Sequence, residues 1–138
     1  MKKITLEWLS YAADDIAALD LLLCDEQLTN IAAFHAQQAV EKSLKALLEE
    51  LDLGLVKTHS LVRLNALIRP HYTIIEDLDM LDRLDAVYIE ARYPGNLGLL
   101  PGGKPTLAEA TRFGVFAREV YQKITGLIET DADYATAP

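Results

Sequence analysis

The stretch that most constrains the fold runs from Asn30 to Asp52 and contains neither glycine nor proline. It is rich in strong helix formers, so it predicts one long helix that begins at a Thr29 or Asn30 cap and stops near Gly54. At 100° per residue, one side is apolar and predicts a core stripe of Ala33, Ala36, Val40, Leu44, Leu47 and Leu51. The opposite side is polar and carries His35, Gln38, Glu41, Lys42 and Lys45.

The rest of the chain repeats the 3–4 spacing of buried helical stripes and nowhere shows the alternation typical of strands. A first helix is expected to run to about Cys24, and Pro70 ends a short third helix. The expected caps are Thr5 for the first helix, Thr58 or Ser60 for the third, and capping boxes at Thr73–Glu76 and Thr106–Glu109 for the fourth and fifth. The pattern predicts an all-α, up-and-down bundle of four to five helices.

Two segments fall outside the helical pattern. Tyr93 to Pro105 holds three of the five prolines and four of the seven glycines, and it is longer than usual bundle connections. Its composition predicts a loop that is either functional or mobile. Residues 130–138 have too few apolar side chains to dock, so we expect a bundle over residues 1–129 followed by a flexible tail.

The charge balance narrows the classes of partner. The formal charge of −8 comes from 21 acidic and 13 basic residues, which disfavours free-standing binding of long nucleic acid. A local basic pocket and a basic protein partner stay open. No apolar run is long enough for a membrane span, and no signal-peptide core follows Lys2 and Lys3, so a cytoplasmic protein without membrane association is expected. No histidine spacing suits a metal site, and none is expected.

Several polar residues are candidates for an anion site, each with an ordinary structural alternative. On the central helix, Gln38, Lys42 and Lys45 would meet phosphate oxygens, or the lysines would form i,i+4 pairs with glutamates on a solvated face. At the start of the third helix, His59 would donate to an anion or hydrogen-bond locally.

The end of the fourth helix offers a second group of candidates. Arg92 stands beside Tyr93 and Pro94, where it would clamp a phosphate or satisfy the last carbonyls of its own helix. Tyr88, one turn earlier, would stack on a base or on the guanidinium group.

Three short segments resemble one known family. The run Phe34 to Leu48 (FHAQQAVEKSLKALL) is similar to the second helix of HEPN-domain proteins, the higher eukaryotes and prokaryotes nucleotide-binding domain. Thr58-His59-Ser60-Leu61 and Ala91-Arg92-Tyr93-Pro94 fit the same family in the expected order. The resemblance implies a helical bundle that dimerises.

The resemblance separates two branches of activity. Many HEPN domains are metal-independent ribonucleases with an arginine followed four to six residues later by a histidine. No arginine of this chain has a histidine at that spacing, and Arg92 is followed by Tyr-Pro-Gly-Asn-Leu-Gly. The resemblance therefore implies a non-catalytic member that binds an ATP-like nucleotide, requires no cofactor, and acts beside a small nucleotidyltransferase in a toxin–antitoxin-like system.

In that interpretation the nucleotide contacts are Gln38, Lys42, Lys45, His59, Tyr88, Arg92 and Tyr93. Two alternatives remain. One is a divergent ribonuclease in which His59, from another segment, works with Arg92. The other is a purely structural subunit that uses the same polar side for protein–protein contact.

Overall fold

The long glycine-free stretch forms the central helix of a five-helix bundle. A computed structural model describes residues 1–54, 56–92 and 104–136. Within these residues the helices are α1 (Lys3–Leu22), α2 (Thr29–Glu50), α3 (Leu61–Ile68), α4 (Leu78–Arg92) and α5 (Leu107–Thr136), with a 3-10 turn at Glu26–Leu28. The described part contains no strand, and the predicted all-α class is confirmed.

Helix α2 packs against each of the other four helices. It can do so because five of its alanines are fully buried and let neighbouring backbones approach: Ala32, Ala33, Ala36, Ala39 and Ala46. The predicted core stripe is buried as expected, except that Leu51 is half-buried.

The polar side of α2 differs from the solvated face that the i,i+4 alternative assumed. Glu41 and Lys45 are buried, and His35, Gln38 and Lys42 are half-buried. Side chains from α1 and from the start of α3 contact this side: Trp8 and Tyr11 lie beside its two lysines, and His59 lies beside Glu41. The polar side of α2 is therefore an internal contact surface of the bundle.

The caps predicted for α1 and α4 are wrong. Thr5 lies inside α1, where its Oγ1 donates to Glu50 Oε1 at 2.9 Å, and Lys2 stands at the helix N-cap. The box at Thr73–Glu76 does not start α4. The intervening Ile74 and Ile75 are buried, which holds this segment outside a helix.

The remaining helix starts differ in whether the predicted residue caps them. Asp77 Oδ1 accepts from Met80 N at 3.2 Å at the start of α4. The N-cap of α2 is Leu28, so the predicted cap at Thr29 or Asn30 is also wrong. Two predictions are confirmed: Ser60 caps α3, and the box at Thr106–Glu109 begins α5 with reciprocal hydrogen bonds.

The C-terminal end of α2 holds the start of the chain. Asp52 (φ 57°) and Gly54 (φ 88°) adopt left-handed backbone conformations, and the amide of Leu53 donates back to Leu48 O at 3.0 Å. The Lys2 ammonium pairs with Asp52 here. The first residues are therefore attached to the far end of the central helix.

The predicted boundary between a bundle over residues 1–129 and a flexible tail stays a prediction. Helix α5 continues to Thr136, so the backbone of most of residues 130–138 is helical, and its flexibility stays a prediction. Residues 93–103 of the predicted loop lie outside the described residues. Among the described residues, no helix is both long and apolar enough to cross a membrane.

Candidate functional site

A buried carboxylate organises the first polar cluster, which we call the Glu41 cluster: Gln37, Glu41, Lys45 and His59. The Glu41 side chain is only 5% exposed. Its oxygens accept from Lys45 Nζ at 3.2 Å and Gln37 Nε2 at 3.3 Å, and His59 Nδ1 lies 3.1 Å from Oε1. A buried charge is tolerated when it is paired and hydrogen-bonded in this way.

The imidazole of His59 is placed by the start of α3. Asp85 of α4 accepts from the amides of Leu61 at 2.7 Å and Val62 at 3.2 Å, and from Ser60 Oγ at 3.1 Å. Gln37 Nε2 also donates to the His59 carbonyl at 3.1 Å. The backbone of His59 is thereby fixed, while its side chain is 59% exposed.

Four rings form a continuous series beside this cluster. The His59 ring stacks on Tyr88 with centroids 5.0 Å apart, and Tyr88 stacks on Phe34 at 6.0 Å, both with interplanar angles of 21°. Phe34 meets His35 edge-to-face at 5.7 Å. The series joins α2, the start of α3 and α4, and it ends at the exposed His59.

The second polar cluster, which we call the Asp15 cluster, consists of Asp15, His35 and Lys42. Lys42 Nζ donates to Asp15 Oδ2 at 2.6 Å, and His35 Nδ1 lies 2.8 Å from Oδ1. Asp15 is buried in α1, and both of its partners come from α2. This cluster is a cross-link between the first two helices.

Aromatic rings of α1 lie next to both lysines of α2. Lys45 Nζ is 5.5 Å from the centroid of Trp8, and Lys42 Nζ is 6.0 Å from that of Tyr11. Each ammonium therefore has a carboxylate and a ring as neighbours inside the protein. Neither lysine is a free cation.

Five of the seven predicted site residues fall into these clusters or next to them. Lys45 and His59 bind Glu41, Tyr88 stacks on His59, and Lys42 binds Asp15. Gln38 Nε2 donates to Gln37 Oε1 at 2.7 Å. Of the other two, Arg92 is the last residue of α4, whose described side chains end at Tyr88, and Tyr93 lies outside the described residues.

The sequence interpretation missed the two carboxylates at the centre of the clusters. The i,i+4 alternative treats Glu41 as a partner of Lys45 on a solvated face, although Glu41 lies on the face that also carries Gln37 one turn earlier. Asp15 follows Ala12 by three positions and precedes Leu19 by four, so it interrupts a buried stripe. A charged residue at such a position is the signal that would have identified the cross-link.

The two clusters support hydrogen bonding and proton transfer by an imidazole. With Nδ1 directed at Glu41, the outer nitrogen Nε2 of His59 is the one left to meet a ligand, because the carboxylate fixes the ring orientation. Among the described residues, no group of three or more histidine, cysteine, aspartate or glutamate side chains could hold a metal ion.

Comparisons with known proteins agree with this arrangement of helices. The crystal structure of TT1696 from Thermus thermophilus superposes with a TM-score of 0.73 at 28% identity, covering 91% of this chain and 98% of that one. The crystal structure of ST0689, an archaeal HEPN homologue, gives a TM-score of 0.69 at 24% identity over 93% of this chain and 99% of the other, which supports the fold.

Sequence comparison assigns the family. No curated protein matches the chain. The family model of the HEPN domain matches residues 5–127, which include both polar clusters and all five helices except the first two residues of α1 and the end of α5. On this match, the chain belongs to the HEPN-domain family.

Proposed function

We propose that this chain binds a nucleotide at the exposed end of the ring series and acts as a non-catalytic accessory subunit of a small nucleotidyltransferase. The observation that carries the proposal is the position of His59. Its ring is exposed, its backbone carbonyl accepts from Gln37, and its inner nitrogen is held by a buried glutamate.

The ring series supplies the contact for a base. Phe34 and Tyr88 support His59 from within, so a purine that stacks on His59 meets a ring that is already ordered. Stacking of a base on an aromatic side chain contributes about 1–3 kcal/mol. A preordered ring keeps more of that free energy, because less side-chain entropy is lost on binding.

The phosphate contacts fall mainly to Arg92 in this proposal. Lys45 is buried against Glu41, and Lys42 is half-buried against Asp15, so both lysines already neutralise carboxylates. Position 92 lies one helical turn after Tyr88 on α4, which places it on the same helix face as the ring that supports His59. Lys42 has the lesser role of lowering the negative potential nearby.

The protein partner is proposed from charge. A chain with a formal charge of −8 presents a largely acidic surface, which is complementary to a basic partner. A nucleotidyltransferase partner of that kind would use the nucleotide that this subunit holds.

Calorimetric titration with ATP tests the nucleotide site. We expect wild-type protein to bind, and His59→Ala and Arg92→Ala each to weaken binding about tenfold or more, since each removes one ligand contact. His71→Ala is the matched control, because His71 is an exposed histidine in the turn after α3. Absence of heat from the folded wild-type protein at millimolar ATP would overturn the proposal and favour a purely structural subunit.

The pairing of Glu41 with His59 favours one second candidate, a divergent ribonuclease. A carboxylate that orients an imidazole is the arrangement used for general acid–base catalysis. In that case purified protein cleaves RNA without metal, and both His59→Ala and Glu41→Gln lose the activity while His71→Ala keeps it. Intact RNA after long incubation with wild-type protein would exclude this candidate.

A further inference from the structure

Helices α3 and α4 enclose an open cleft of about 520 Å³. The wall from α3 follows the i, i+3, i+4 and i+7 spacing of one helix face and consists of Val62, Asn65, Ala66 and Arg69. The wall from α4 consists of Leu78, Leu81 and Asp82. Since sites for small ligands and peptide ends occupy about 300–1,000 Å³, this cleft is large enough for a few residues of another chain.

The α3 wall contains an unsatisfied polar group. Asn65 is only 4% exposed, and its Oδ1 is buried without a hydrogen-bond partner among the described residues. A buried acceptor that lacks a donor destabilises a protein. Because the torsion χ2 of an asparagine has a broad minimum, Oδ1 can turn towards a donor that enters the cleft. The amide therefore favours a ligand that carries an N–H group.

The cleft also has one cation and one anion available to a ligand. Arg69 and Asp82 are both exposed, and neither forms an ion pair in residues 1–54, 56–92 and 104–136. Arg69 follows Asn65 by one helical turn, about 6 Å along the axis. An extended peptide advances about 3.3 Å per residue. A C-terminal carboxylate at Arg69 therefore brings one of the last two backbone N–H groups of a peptide to Asn65.

The antiparallel packing of α3 and α4 gives the cleft a direction. Asp85 binds the amide of Val62 at the start of α3, whereas Arg69 follows the end of α3 and lies towards the start of α4. Asp82 stands between these two ends. A peptide whose carboxylate meets Arg69 thus passes Asp82 with residues that precede its C-terminus, where a basic side chain is favoured.

We propose that the cleft between α3 and α4 binds the extended, apolar C-terminal end of a partner protein. Arg69 binds the free carboxylate, and Asn65 Oδ1 accepts from a backbone N–H. The apolar side chains of the partner pack against Val62 and Leu78, which are 42% and 46% exposed. In a chain of formal charge −8, a carboxylate is recognised only where a cation without a partner meets it, and Arg69 supplies that cation.

Fluorescence anisotropy tests the proposal with an N-terminally labelled peptide that ends in Lys-Thr-Val-Leu. We expect the peptide with a free carboxylate to bind, and its C-terminally amidated form to bind about tenfold or more weakly, because the amide lacks the charge that Arg69 meets. In Arg69→Gln both forms should bind equally weakly. Arg63→Gln is the matched control, since Arg63 is an exposed arginine of α3 outside the cleft, and it should keep the difference between the two forms.

A second variant, Asn65→Leu, tests the buried amide. It should fold, because it removes an unsatisfied buried acceptor, and it should lower the affinity for the free-carboxylate peptide about threefold to tenfold. Absence of saturable binding to wild-type protein at millimolar peptide, equal binding of both peptide forms, or unchanged affinity in Arg69→Gln and Asn65→Leu would each overturn the proposal.

A carrier protein that ends in the same four residues tests the source of the peptide. We expect it to bind as tightly as the free peptide does. A carrier that fails to bind, while the free peptide binds, would identify a free peptide as the occupant and overturn the assignment to a partner protein. Because ATP is absent from these measurements, failure of the nucleotide site is a separate result and leaves this test intact.

Discussion

The Asp15 cluster and the Glu41 cluster contain the same three kinds of side chain in two different settings. Each has a buried carboxylate that binds one lysine of α2 and the Nδ1 of one histidine. In the Asp15 cluster the histidine belongs to α2 and is half-buried. In the Glu41 cluster the histidine comes from the start of α3 and exposes most of its ring.

The difference separates a structural cross-link from a candidate site. Asp15 joins α1 to α2 and leaves little of either partner for a ligand. Glu41 lies within α2 and binds Lys45 of the same helix, so its pairing with His59 chiefly orients an outward-facing ring. The same combination of carboxylate, lysine and histidine can therefore join two helices or present a ligand-binding ring, and the exposure of the histidine decides between these two roles.

The largest expected effect is on stability when either carboxylate is removed. Glu41→Ala leaves the Lys45 ammonium buried and unpaired, so we expect a loss of about 3–5 kcal/mol in the free energy of unfolding. Asp15→Ala should cost less, about 1–2 kcal/mol, because Lys42 is partly exposed and can be rehydrated. Urea unfolding of both variants measures the difference, and equal losses would contradict the comparison.

A smaller loss of stability is expected when Asp85 is replaced. This residue holds the start of α3, next to His59 of the Glu41 cluster. Asp85→Ala removes three hydrogen bonds at the start of α3, and we expect a loss of about 1–2 kcal/mol in unfolding free energy. ATP affinity should also fall, because His59 is no longer fixed. Asp82→Ala, an exposed aspartate of the same helix, is the control for charge. If the Asp85→Ala variant binds ATP as tightly as the wild-type protein, then fixing His59 at the start of α3 is not required for binding, and this prediction is wrong.

The smallest effect sharpens the comparison between the two histidines. His35→Ala should lower the free energy of unfolding by about 1 kcal/mol, since it removes one hydrogen bond of the α1–α2 cross-link. It should leave ATP affinity unchanged, whereas His59→Ala should lower affinity with less effect on stability. Thermal unfolding and calorimetry on the same two variants give both readouts, and the opposite pattern would assign the ligand site to the Asp15 cluster.

The helices could be predicted because their signals are local. The glycine-free run gives α2, and the cap at Ser60 and the box at Thr106–Glu109 act on their own first turns. The box at Thr73–Glu76 failed for a non-local reason. Burial of Ile74 and Ile75 against the bundle outweighs the local preference for a helix, so α4 starts at Leu78.

The candidate site was predicted in part for the same reason. The face of α2 that carries Gln38, Lys42 and Lys45 follows from its own periodicity. Burial of that face depends on packing against α1, α3 and α4. The periodicity of α2 alone contains no information about those neighbours. The sequence therefore located His59 and Tyr88 as polar candidates, while their stacking and the link to Glu41 required the tertiary structure.

The buried alanines of α2 also limit how the protein can tolerate substitution. Each of the five has no exposed surface, so a larger side chain there must push a neighbouring helix away, at a cost of typically about 1–3 kcal/mol. In a saturation mutagenesis library, we expect these positions to accept little beyond glycine or serine, while exposed positions such as Leu21 accept most residues. Repacking of this bundle must therefore come from the four surrounding helices, since its central helix has no room to grow.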